Sequence, residues 1–146
     1  MTGVRQRQYA EPGQATSHLA VATACRVQHR LGADRAWATD VGGACAGFLY
    51  ALKTARDILA ASHPDGRALV IGAETFSKFQ NPADRSTGML FADGAGAAVV
   101  GRAAAGRGIL CSAQGTDGAL ADIVGIRAGG SAQPNTPSPM AATTST

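Results

Sequence analysis

The sequence predicts an α/β domain, a mixed sheet with helices on its faces. Three observations point there. Two apolar runs, residues 36–41 and 67–73, flank a helical pattern at 46–61, and strand, helix and strand in that order read as a parallel, right-handed βαβ unit. The second run, Arg-Ala-Leu-Val-Ile-Gly-Ala, is continuous rather than alternating, as in strands buried on both faces of a parallel sheet. Glycine and alanine are abundant while aromatics make up only 5%, which favours closely approaching layers over a β-sandwich. With 146 residues, 45% of them hydrophobic, the chain suits one domain with its own core.

Taken in order, residues 1–13 read as an extended or looped lead-in ending at Pro12-Gly13. Thr16 or Ser17 then caps a helix. Leu19, Ala22, Val27 and Leu31 keep approximate helical spacing as far as a stop at Gly32. The helix at 46–61 places Phe48, Leu49, Leu52, Ala55, Ile58 and Leu59 on one broad face, with Lys53, Arg56 and Asp57 on the other. His63-Pro64-Asp65-Gly66 ends it. Residues 74–87 form a long connection, and a loop of that length is more often functional than idle. Residues 89–100 hold two strand-like pieces around Asp93-Gly94. The Gly-Ala-Gly there is followed by strand rather than helix, so it is not a dinucleotide fingerprint. Residues 108–113 are a further strand candidate. Residues 129–146, rich in Gly, Ser, Thr, Pro and Ala, read as a flexible tail beyond a domain of residues 1–128.

Composition excludes several functions. Net charge is +3, with Lys and Arg scattered and no basic run interleaved with aromatics, which argues against nucleic acid. Mild basicity suits an anionic, phosphate-bearing ligand. Cys25, Cys45 and Cys111 are far apart, odd in number and outside any CxxC or Cys/His cluster. Neither a metal site nor a disulfide framework is expected, and the default is a cytoplasmic protein with reduced thiols. Residues 1–12 lack the apolar segment of a signal peptide, and no apolar run approaches ~18 residues, so no membrane span is expected.

The chemistry centres on Asp40-Val41-Gly42-Gly43-Ala44-Cys45-Ala46-Gly47-Phe48-Leu49-Tyr50, between the first apolar run and the helix. Small residues around a cysteine at a strand-to-helix turn let the backbone bend sharply and a substrate come close. They also set the sulfur at the positive end of a helix, where the thiolate nucleophile is favoured. The turn alone admits two readings, a catalytic nucleophile or a buried structural cysteine. His18, His29 and His63 read as solvated or partly packed helix residues, since none has a recognisable partner.

Four stretches together resemble the thiolase-fold condensing enzymes, and most of all the β-ketoacyl-acyl-carrier-protein synthase III family. They are Gly3-Val4-Arg5-Gln6-Arg7, the Asp40–Phe48 stretch, Asn81-Pro82-Ala83-Asp84-Arg85-Ser86-Thr87 and Phe91-Ala92-Asp93-Gly94-Ala95-Gly96-Ala97. The resemblance implies a partial thiolase-like layered fold, one half of an αβαβα arrangement. It implies an acyltransferase of fatty-acid or polyketide biosynthesis in which Cys45 takes an acyl group from acyl-CoA and malonyl-acyl carrier protein then condenses with it, releasing carbon dioxide. Acyl-CoA enters as substrate, and no cofactor is implied. A homodimer and an acyl carrier protein are the implied partners. By the same resemblance the backbone N–H of Cys45 lines an oxyanion hole, and Arg85 packs on the CoA adenine, a role suited to a planar guanidinium. Asp84 is expected to fix its loop, and Asp93-Gly94-Ala95-Gly96 to form a tight turn beside the site.

There are departures. Ser86 stands where the family usually has Gly. The family's histidine and asparagine, which hold the malonyl carboxylate, belong to a second half with no counterpart here, and a first strand is missing ahead of Thr2. A strand and its flanks also look skipped at about Ala24, a strand that lies in the sheet between neighbours of the Cys45 unit. Two other readings therefore stand beside the synthase. One is an inactive fragment or pairing module of a condensing enzyme; the other is a ketoacyl-synthase-like acyltransferase of secondary metabolism. A papain-like hydrolase is weaker, because nothing after His63 supplies its base.

Overall fold

The computed structural model describes residues 2–7, 22–81, 83–86, 88–123 and 125–126. The chain divides into two compact units, residues 1–115 and 116–146. In the second, the described residues carry one short 3-10 turn, Gly118–Leu120, opened by Asp117, whose carboxylate accepts from the Ala119 N–H at 3.0 Å. The expected boundary at residue 128 and the tail at 129–146 lie outside the described residues.

The first unit is a four-stranded mixed sheet with two helices. Its elements are β1 (Thr2–Arg7), α1 (Thr23–Arg30), β2 (Ala38–Gly42), α2 (Gly47–Ser62), β3 (Arg67–Thr75) and β4 (Asp93–Gly101). The order across the sheet is β2-β1-β3-β4, with β1 parallel to both its neighbours and β4 antiparallel to β3. The expected α/β class is therefore present. The expected βαβ unit is wider than its sequence suggested, because β1 lies between β2 and β3. Val4 faces Thr39 on one side and Val70 on the other. That is the sheet position at which the sequence looked to have lost a strand.

The helices lie on opposite faces of the sheet. Asp40 turns its carboxylate to α1, accepting from the backbone N–H groups of Thr23 and Ala24 at 2.9 Å each. The next residue, Val41, packs against the cluster under α2. Consecutive side chains of a strand point to opposite faces, so one strand reaches both helices. Asp40 also explains a difference from the expected cap. The helix begins at Thr23 after Ala22, which makes no side-chain capping bond of its own. A carboxylate from a neighbouring strand satisfies the first N–H groups instead. Thr16 and Ser17 lie outside the described residues. The expected stop is where the sequence put it. Gly32 takes φ +61, and Ala33 N–H donates to Gln28 C=O at 3.1 Å, closing the helix in a Schellman pattern.

α2 packs through small residues. Gly47, Ala51, Ala55 and Leu59 recur every four positions and are its buried residues. Ala51 and Ala55 are fully buried against Ala68 and Val70 of β3, with Val41, Phe48, Leu52 and Val100 closing round them. The expected apolar face was too broad. Leu49 is 65% exposed, because it sits about 200° round the helix from Gly47. On the solvent side Lys53 hydrogen-bonds Asp57 one turn on, and this bond, with Arg56 adding to it, holds the Asp57 carboxyl below the usual carboxylate range.

Three strand expectations change. β3 is fully buried only at Ala68 and Val70, on the α2 face, while Leu69 and Ile71 on the other face are half-buried. Residues 89–100 give one strand, not two: Met89 and Leu90 lie in a turn, and Asp93 onward pairs with the whole of β3, Thr75 opposite Asp93 and Arg67 opposite Gly101. Asp93-Gly94-Ala95-Gly96 is thus strand rather than a tight turn. Residues 108–113 are not a strand, because no described strand runs beside them to take their hydrogen bonds, and Ile109 and Leu110 are exposed.

Two outcomes follow. Asp40→Ala should destabilise the domain by about 1–2 kcal/mol, with Asp40→Asn losing less, because two orphan helix donors lose their acceptor; the urea midpoint reads both. Ala55→Leu should cost about 1–3 kcal/mol in the same assay, since the helix must lift off β3 to admit the longer side chain.

Candidate active site

β2 ends at Gly42, and the chain turns through Gly43 and a 3-10 turn, Ala44–Ala46, straight into α2. The turn is tight. Gly43 has φ +148, a conformation closed to residues with a Cβ, and Ala44 follows at φ +45, the one positive-φ non-glycine among the described residues. Sparsely populated backbone of this kind persists only where the surroundings over-determine it. Here they do: Ala46 N–H donates to Gly43 C=O at 3.0 Å, and the ring of Tyr50 lies directly over Gly43. Cys45 occupies the middle of the turn and is exposed, two residues ahead of the first residue of α2. That excludes the buried structural cysteine left open by the sequence. Cys25 differs, being half-buried with its thiol directed at Ala38 C=O at 3.8 Å.

Both connections of interest leave the same edge of the sheet. β2, β1 and β3 run parallel, so the turn after Gly42 and the connection after Thr75 emerge at their carboxyl ends. That edge is where open α/β sheets place ligands. The connection after β3 is braced rather than loose. Phe76 stacks on Phe91 at 4.4 Å between ring centres and meets Phe79 edge-on at 6.1 Å. Asp93, at the start of β4, accepts from Ser77 N–H at 2.8 Å and from Ser77 Oγ at 2.7 Å, and Gln80 Nε2 donates to Phe91 C=O. Farther on, Asn81 accepts from Ala83 N–H and Asp84 from the N–H and hydroxyl of Ser86, at 3.0, 2.9 and 2.6 Å. Gly88 N–H closes on Asp84 C=O at 2.9 Å. Asp84 therefore fixes the loop, as its sequence context implied.

Arg85 stands exposed on this braced loop. It borders an open groove of about 510 Å³ with Ser77, Gln80, Asp84, Gly88 and Met89. Cys45 is not among the lining residues, so the two sequence candidates share a sheet edge but not this groove. His29 lies on exposed α1 beside Cys25, Arg26 and Arg30. His63 caps the far end of α2, roughly 24 Å of helix from the Cys45 turn at 1.5 Å per residue. His63 is thereby placed away from that sulfur, and His18 lies outside the described residues. No group of three or more His, Cys, Asp or Glu side chains among the described residues could hold a metal. The sequence reading quoted Asp40, Tyr50, Phe91 and Asp93 within the stretches it singled out without giving them these supporting roles, and it passed over Phe76 and Phe79.

Comparison with known proteins bears on this arrangement. A family model described as 3-oxoacyl-acyl-carrier-protein (ACP) synthase III matches residues 39–118, from the start of β2 through β4. A β-ketoacyl-acyl-carrier-protein synthase III of Caldanaerobacter subterraneus subsp. tengcongensis is 40% identical over 91% of this chain and 50% of its own length. An acetoacetyl CoA synthase of a Streptomyces species is 39% identical, with the same coverage of both chains. Among solved structures, the 3-oxoacyl-(acyl carrier protein) synthase III of Pseudomonas aeruginosa PAO1 superposes with a TM-score of 0.61 at 38% identity, over 72% of this chain and 31% of that one. The chain spans about half the length of the curated relatives it matches. The first of these alignments runs over 165 positions, more than the 146 residues of the chain, so the relative holds residues inside it that have no counterpart here.

Asp93→Ala should release the Ser77 turn. Limited proteolysis between residues 77 and 90 should quicken about three- to tenfold while the unfolding free energy from urea denaturation falls by about 1 kcal/mol or less, since the Ser77 bonds are exposed.

Proposed function

Because the chain belongs to the 3-oxoacyl-ACP synthase III family, we propose that it carries the acyl-accepting half of a condensing acyltransferase, with Cys45 as the nucleophile and acyl-CoA as the donor. The observation that carries this reading is an exposed cysteine on a strained turn between a parallel strand and the N-terminus of a sixteen-residue helix. The thiolate attacks the thioester carbonyl. A bond forms from the Cys45 sulfur to that carbon, the bond to the CoA sulfur breaks, and the proton shed by Cys45 is recovered by the departing thiolate. Backbone N–H groups at the helix start are suited to the oxyanion that develops. Arg85 contacts the CoA nucleotide; its planar cation, held on a stiff loop, suits both an adenine face and a phosphate.

In the complete synthase a second step follows, in which malonyl-acyl carrier protein loses carbon dioxide and its carbanion takes the acyl group. That step needs groups to hold the malonyl carboxylate, and by the resemblance these belong to the half of the relatives that this chain does not span. The expected activity of this chain alone is therefore acylation without condensation. Acyl carrier protein, a second copy of the chain and a cytoplasmic setting belong to the same reading through the family. No described helix is long and apolar enough to cross a membrane.

Incubation with acetyl-CoA followed by intact-mass measurement tests the reading. One acetyl group should be gained by the wild type and none by Cys45→Ala; equal gain by both rejects the nucleophile assignment. Arg85→Ala should raise the acetyl-CoA concentration for half-maximal acylation by about tenfold, in line with loss of one stacked or charge-assisted contact. A second reading, a non-catalytic module that pairs with an intact synthase, draws on the half-length match. It predicts a stable heteromer and no acylation at any pH.

A further inference from the structure

We propose that Tyr50 is a positioning residue for the Cys45 nucleophile, acting as a clamp on the turn through Gly43. The inference rests on the acyl-transfer reading of Cys45 and adds a residue that the four motif stretches do not contain. A Cβ placed on Gly43 would lie 2.6 Å from Cδ2 and 2.8 Å from Cε2 of Tyr50, and 3.2 Å from the Gly47 Cα. The ring edge thus lies on the bare backbone of Gly43, with no room for a side chain between them.

The contact joins the three parts that determine where the sulfur sits. Gly43 opens the bend at φ +148, Ala44 sustains it at φ +45, and Cys45 is the next residue. Tyr50 belongs to the first turn of α2, whose Gly47 and Ala51 are buried against the sheet. A rigid helix therefore presses a flat ring on the residue where the strand ends. Removing the ring takes away the packing against Gly43, one of the restraints that hold Gly43 and Ala44 away from ordinary backbone angles. Cys45 would then leave its place at the helix start. The packing of Ala51 and Ala55 under α2 does not involve this ring, so the domain itself should persist.

The contact is made by ring carbons, so the hydroxyl is dispensable. Tyr50→Phe should behave as wild type. Tyr50→Ala should lower the acylation rate at saturating acetyl-CoA about tenfold, a displacement of the sulfur by a fraction of an ångström being enough, and should leave the half-saturating concentration unchanged. A general loss of structure would instead reduce the fraction of protein that becomes acylated.

A second measurement separates the clamp from the acyltransferase reading. Iodoacetamide labelling followed by peptide mass spectrometry gives the rate at Cys45 relative to Cys111, which is also exposed and so serves as an internal reference. That ratio should change at least threefold in Tyr50→Ala and stay at the wild-type value in Tyr50→Phe. If Tyr50→Ala leaves both the saturated rate and the ratio unchanged, or if Tyr50→Phe is as impaired as Tyr50→Ala, the clamp is refuted. If wild-type protein takes no acyl group, the acyltransferase reading fails, and the labelling ratio still decides the clamp.

Discussion

The close seating of α2 on the sheet is the contact on which the rest of this structure depends. Ala51 and Ala55 present only methyl groups to Ala68 and Val70, all four fully buried, so the helix lies close to the strands. From that seat the start of the helix is brought to the end of β2. The chain has only Gly43 and one 3-10 turn in which to make the crossing, and the bend is sharp because the distance is short. The glycine-rich sequence around Cys45 is thus a consequence of helix packing as much as of substrate access.

The two sides of the candidate site are built differently. The strained Cys45 turn is held by a backbone bond from Ala46 to Gly43 and by a ring resting on that glycine. The Arg85 loop is held by polar bonds, Asp93 to Ser77 and Asp84 to Ser86, over a small aromatic cluster. A reacting sulfur must be located to a fraction of an ångström, which packing against a helix provides. The nucleotide contact proposed for Arg85 tolerates more freedom, which suits an exposed loop.

Much of this was legible in the residues. The cysteine turn, the helix after it, β3 and the Gly32 stop follow from apolar periodicity and small-residue placement, which are local signals. What was missed depends on distant partners. The cap of α1 comes from Asp40, sixteen or more residues away in sequence, so no capping residue at the helix start announces it. Leu49 looked buried because a broad apolar run was read where a narrow alanine stripe does the packing. Residues 108–113 have strand composition but no described strand to pair with. β1 is the plainest case, because a polar lead-in becomes the central strand only when β2 and β3 leave a place between them. The acylated and nucleotide-binding roles came from resemblance, which geometry alone would not have supplied.

The two end strands of the sheet differ in what they offer to solvent. β4 extends for nine residues, and from Gly94 to Gly101 its side chains are hydrogen, methyl or isopropyl, with no charge. Val99 stands 63% exposed on the face away from α2. No lysine, proline or bulge interrupts it, the usual devices by which proteins stop sheets from joining edge to edge. At high concentration this strand offers a template for intermolecular sheet growth, along a border from Gly94 to Gly101 whose residues take no part in the proposed chemistry.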